Sequence, residues 1–129
     1  MDDAKRREAG MTMRRTVLGD AHVDRALAKQ SELNAVFQDL IVRYAWGEIW
    51  TRPGLDHRTR RLLVLTTTAA MGRWEEFRLH IRAGLEGGLP LQDIQETLLQ
   101  LAVYAGVPTA NTAFHILEEV WTQQNTPKS

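Results

Sequence analysis

A chain of 129 residues, 43% hydrophobic and 25% charged, suits one globular domain with a real core and is short for two. Sixteen basic and sixteen acidic side chains cancel, so no charge excess argues for nucleic acid or an anionic membrane as partner. Cysteine is absent, which excludes disulfides, thiol redox chemistry and thiolate metal sites together. The opening residues are charged with no apolar stretch of the secretory kind, and the longest apolar runs fall short of a bilayer span. A cytoplasmic location is therefore expected.

The first element runs from Asp2 to Leu18 and stops at Gly19, rich in Ala, Arg, Glu and Met. Its arginines (Arg6, Arg7, Arg14, Arg15) read either as an anion-binding arm or as a solvated helix face. Asp20 is placed to cap AHVDRALAKQ, and Ser31 to cap ELNAVFQDLIVRYAWGEIW. In the latter, Leu33, Val36, Phe37, Leu40, Ile41 and Tyr44 recur at helical spacing, with Gly47 near the end. Arg52-Pro53-Gly54 breaks the chain. Asp56 then caps a helix from His57 to about Met71, apolar at Leu62, Leu63, Leu65, Ala69 and Ala70 and interrupted only by Thr66 to Thr68.

Gly72 separates that helix from a central one over Arg73 to Gly88. Pro90 suits the first turn of PLQDIQETLLQLAVYAG, whose buried stripe is Ile94, Leu98, Leu101, Ala102 and Ala105. Gly106 and Pro108 break it before a last helix carrying Ala110, Ala113, Phe114, Leu117 and Trp121. No stretch alternates with period two, so the expectation is an all-α bundle of about six helices with short connections. Several helices are apolar on more than one face, which predicts that subunit contacts complete the burial.

The central helix concentrates the chemistry. At roughly 100° per residue, Trp74, Phe77, Ile81 and Leu85 form one stripe with Gly84 beside it. His80 lies on its border, and Arg73 and Glu76 flank it on the same side. Glu76 and His80 are four apart, so their side chains can meet. A cation, a carboxylate and an imidazole thus converge where a buried face begins, a place for acid–base work; a histidine hydrogen-bonded at a core edge would look the same. No histidine has a metal-ligand spacing such as HExxH, and no metal is expected.

The stretches LGDAHVDRALAK, AWGEIWTRPGL and FRLHIRAGLEGGLPLQDIQETLLQLAVYAGVPTANTAFHILEEVW resemble the carboxymuconolactone decarboxylase family, from about Gly10 to Trp121. In the superfamily's redox branch a Cys-x-x-Cys pair precedes the helical histidine. Here those positions are Arg73 and Glu76, and the glutamate that assists the thiols falls at Arg61. Without sulfur, peroxide reduction by that route is excluded.

The resemblance implies decarboxylation of gamma-carboxymuconolactone to an enol-lactone of 3-oxoadipate and CO2, a step of the beta-ketoadipate pathway of aromatic catabolism. No cofactor is implied, because the conjugated lactone is its own electron sink. The resemblance also implies a small-molecule substrate and a homo-oligomer, trimeric or hexameric. His80 is then the expected acid and Glu76 the group that orients it. Arg60 matches the arginine before the apolar helix and is expected on a substrate carboxylate, with Arg73 as a further candidate. Trp46 and Arg52 are expected to wall or cover the pocket. Glu48 and His115 have no clear role, and His22 and His57 are expected at the surface. Another lactone-processing enzyme and a non-catalytic ligand-binding oligomer remain alternatives.

Overall fold

The computed structural model describes residues 2–126, and among these it contains seven α-helices, a π-helical segment and no strand. The all-α expectation holds, with one helix more than expected. The chain forms two compact units, residues 1–57 and residues 58–129.

In the first unit, α1 (Asp3–Leu18) is capped by the Asp2 carboxylate, which accepts the Lys5 N–H at 2.8 Å. It ends at Gly19, whose φ of 90° turns the chain directly into α2 (Asp20–Ala28). Asp20 was expected as the cap of α2. Gly19 holds that place instead, so Asp20 falls in the first turn and takes Arg15 at 3.1 Å. Ser31 caps α3 (Glu32–Ile41) as expected, in a reciprocal box with Asn34.

From Val42 to Ile49 the helix widens to π geometry. This wide turn packs closely against α1. A Cβ on Gly10 would overlap the Val42 carbonyl oxygen, and one on Gly47 the Arg6 carbonyl oxygen, so the two backbones touch where side chains are missing. The Thr51 hydroxyl donates to the Gly47 carbonyl at 2.7 Å, and Trp50 stacks on Trp46 with ring centroids 5.3 Å apart. The apolar stripe of α3, by contrast, is not buried in the chain: no residue of Glu32–Ile41 is buried, and Leu33 is 95% and Phe37 58% exposed.

In the second unit, α4 (which opens at His57, His57–Ala70), α5 (Trp74–Glu86), α6 (Leu91–Ala105) and α7 (Val107–Asn125) enclose an apolar core. Phe77, Leu65, Ile81, Ile94, Leu98 and Val120 are fully buried in it. The threonines of α4 are accommodated by their own helix: the Thr66 hydroxyl donates to Leu63 O at 3.0 Å and that of Thr68 to Val64 O at 2.7 Å. Pro90 stands one position earlier than expected, as the extended cap of α6. Gly106, with φ at 100°, ends α6 and also starts α7, so Pro108 lies in the first turn of α7 instead of ending α6. Apolar residues also remain on the outside, among them Leu63, Met71, Leu99, Val103 and Tyr104. No helix among the described residues is long and apolar enough to cross a membrane.

Candidate active site

Helix α5 presents the site because one face is anchored in the core and the adjoining edge is left half open. Phe77 and Ile81 are fully buried, Trp74 and Leu85 partly, and the Trp74 ring meets Phe77 edge-on at 5.4 Å. His80, beside Ile81, is half-buried, with its Nδ1 atom buried. Glu76 stands one turn earlier on the same side and is exposed. Arg73 is the exposed N-cap, and Glu75 and Glu76 in the first turn complement the positive end of the helix dipole.

The start of α4 supplies three arginines with three different environments. Arg58 reaches out to Asp93 on α6 and holds that carboxyl below its usual range. Arg60 is half-buried with its Nε atom buried. Arg61 is buried, at 8% exposure, and burial pushes its pKa down. Its guanidinium lies across the last turn of α5: a Cβ on Gly87 would come 2.7 Å from its Nη2, and one on Gly84 would come 4.0 Å from its Nη1 and 3.1 Å from Leu89. Gly84 therefore makes room for Leu89 and Gly87 for Arg61.

The carbonyls of Ala83, Gly84 and Leu85 in that turn accept the N–H groups of Gly87, Leu89 and Gly88, and the negative end of the helix dipole makes it a favourable place for a cation. His80 sits on the same face, roughly 10 Å back along the axis from Gly87. Arginine charge and an imidazole therefore belong to one α4–α5 corner at the edge of an apolar core. Such a corner can hold a carboxylate and deliver a proton.

Of the other residues singled out from the sequence, Trp46 is buried in the first unit against Trp50, and Arg52 is exposed there. Glu48 pairs with Arg6 at 3.1 Å, and His57 meets the Trp50 ring edge-on. His115 is exposed, 3.1 Å from Glu119, which also takes Arg78 at 2.8 Å. Among the described residues no group of three His, Asp or Glu side chains could hold a metal ion. The buried position of Arg61 was not read from the sequence; its signal is the glycine spacing of 84 and 87, which leaves a notch on one face of α5.

Comparison with known proteins places the chain among decarboxylases by sequence. The model of the carboxymuconolactone decarboxylase family matches residues 35–119. The 4-carboxymuconolactone decarboxylase of Acinetobacter baylyi is 41% identical over 121 residues, covering 94% of this chain and 90% of that protein. The nitrosuccinic acid decarboxylase of Metarhizium robertsii is 35% identical over 92% of this chain and 84% of its own. A 48-residue 4-carboxymuconolactone decarboxylase sequence from Pseudomonas putida is 54% identical over its whole length and 37% of this chain. With the family model spanning both its α3 and its α7 and a relative aligned along nearly all its length, the chain belongs to the carboxymuconolactone decarboxylase family.

Proposed function

We propose that the protein is a carboxy-lyase that converts 4-carboxymuconolactone to 3-oxoadipate enol-lactone and CO2, a step in the catabolism of aromatic compounds. The observation that carries this is the 41% identity to the Acinetobacter enzyme over 94% of the chain. The chemistry asks for little beyond what α4 and α5 carry. The ring carboxylate leaves as CO2, and its bonding pair passes through the ring double bond onto the lactone carbonyl. One proton, delivered to the alpha carbon, then completes the enol-lactone. The substrate's own conjugation is the electron sink, so the protein's tasks are to hold the acetate carboxylate, to favour the developing enolate and to supply the proton.

His80 is the proton donor in this reading, at the polar edge of an apolar core where loss of carboxylate charge is favoured. Glu76 orients it and Arg60 receives the retained carboxylate, whereas Arg73 stands at the opposite end of α5 from the turn that Arg61 covers. Nitrosuccinic acid, named for the Metarhizium relative, is likewise a dicarboxylate with an electron-accepting group, here a nitro group. Other dicarboxylates with a built-in sink are therefore the second substrate class to test. The exposed stripe of α3 and the outer apolar residues of α6 support a homo-oligomer, a trimer or hexamer, which light scattering at micromolar concentration would overturn by showing a single monomer-sized species.

The decisive experiment generates the lactone in situ and follows CO2 and enol-lactone with wild type, His80→Ala and Arg60→Gln. Turnover is expected in the wild type, to fall by at least ~100-fold in His80→Ala, and to show mainly a raised KM in Arg60→Gln. A folded wild-type protein that releases no CO2 from this lactone overturns the assignment.

A further inference from the structure

The four arginines of α1 separate by what they touch. Arg6 pairs with Asp3 and Glu48, Arg7 with Asp39, and Arg15 with Asp20 and Asp24. Arg14 pairs with no carboxylate among the described residues. It is only 7% exposed, and its Nε atom is buried without a hydrogen-bond partner. A buried guanidinium left in that state is costly, and burial together with the neighbouring Arg15 pushes its pKa down.

Arg14 lines a half-open cavity of about 230 Å³ on the first unit. Met11, Leu27, Ala35 and Val42 give most of the wall surface an apolar character, and Gln30 and Gln38 add uncharged polar groups. Its charged members other than Arg14 are Arg7 and Asp39, and the Asp39 carboxylate is already gripped by two guanidiniums, Arg7 at 2.7 Å and Arg43 at 2.8 Å. The cavity therefore offers one buried, hydrogen-bond-deficient cation above an oily wall, with its only acid neutralised. Allowing about 30 Å³ per water, it holds roughly seven waters, a space on the scale of benzoate or hexanoate.

We propose that this cavity is a binding site for a small organic monocarboxylate, with the carboxylate on Arg14 and the apolar body against Met11, Leu27 and Val42. A planar guanidinium and a carboxylate match in geometry and form charge-assisted hydrogen bonds. A dianion such as phosphate fits less well, because Arg7 is engaged by Asp39 and the remaining polar groups of the lining, Gln30 and Gln38, bring no second positive charge. None of the lining residues lies on α4 or α5, so the site's existence does not depend on the decarboxylase reading. Its occupant would stabilise the first unit by mass action.

The test is titration of the whole wild-type protein with hexanoate and benzoate, with hexanamide as the uncharged control, by calorimetry and by the Arg14 Nε–H resonance. The acids are expected to bind with Kd at or below about 1 mM and to shift that resonance, and hexanamide at least tenfold more weakly. Arg14→Met is expected to abolish acid binding while folding as well as the wild type or better, since it replaces an uncompensated buried charge with an apolar side chain. Equal binding of acid and amide, or acid binding retained in Arg14→Met, would overturn the proposal. So would absence of binding by wild type with a resonance that instead moves with protein concentration, which would assign the cavity to a carboxylate from a second copy of the chain. Should Arg14→Met fail to fold, the wild-type resonance and the amide control decide the matter alone.

Discussion

The two units of the chain are held together by different means. The second surrounds an apolar core in which six large side chains are fully buried. The first has a helix, α3, with no buried residue, and joins a smaller buried set, Val17, Val23, Val42 and Trp46 among it, to backbone contact at Gly10 and Gly47 and ion pairs from Arg6, Arg7, Arg15 and Arg43. Each unit also buries one arginine, and the contrast repeats. Arg61 lies against a helix end whose carbonyls welcome a cation, whereas Arg14 faces a cavity. An all-helical sequence can thus encode one unit built around an apolar core and another that leans more on backbone contact and paired charge, while both leave apolar residues exposed.

The comparison can be broken most forcefully in the second unit. Phe77→Ala removes a fully buried ring and is expected to cost about 3–5 kcal/mol by urea unfolding. A loss below ~1 kcal/mol would mean that this core is not what stabilises the unit. Next in size are Gly10→Ala and Gly47→Ala. In an ordinary helix interior this change stabilises by up to about 1 kcal/mol; here the added methyl meets a carbonyl oxygen, so a loss of about 1–3 kcal/mol is expected. A gain would show that the helices can separate freely.

The smallest effect concerns charge. Arg7, and with it Arg43, hold the Asp39 carboxyl at about 2, below its ordinary 3.8. A carboxyl with a depressed pKa contributes stability above its unfolded value and loses it as pH falls through the folded one. Asp39→Asn should therefore be slightly less stable than wild type near pH 6 and equal to it near pH 2, and the difference should shrink in high salt. Parallel stability curves for the two proteins between pH 6 and pH 2 would remove Asp39 from the account.

Much of this was legible in the residues. The 3.6-residue pattern of α5 found its buried face because that face meets a core, and the spacing of Glu76 and His80 placed them on one side. The equally regular pattern of α3 announced a face that needs covering without saying what covers it. Arg14 and Arg15 are neighbours of identical type, and only their 100° separation around the helix sends one inward and the other to Asp20 and Asp24. Likewise nothing local distinguished Arg61 from Arg60: the notch that receives Arg61 is made by glycines more than twenty residues away. Asp20 has the chemistry of a cap, yet the adjoining Gly19 alone can take the positive φ of the corner.

The π-helical segment has a consequence for how this chain tolerates change in length. Its wider turns carry more residues per revolution than the α-helix that precedes them. Removing one residue between 42 and 46 would let the segment relax to α geometry, closing the same revolution with one residue fewer, so the residues after the deletion would move along the helix axis yet keep roughly their facing. Gly47 would stay on the side that faces the Arg6 carbonyl. The segment is thus a length buffer: it can give up one residue to its winding and still present the same face to α1.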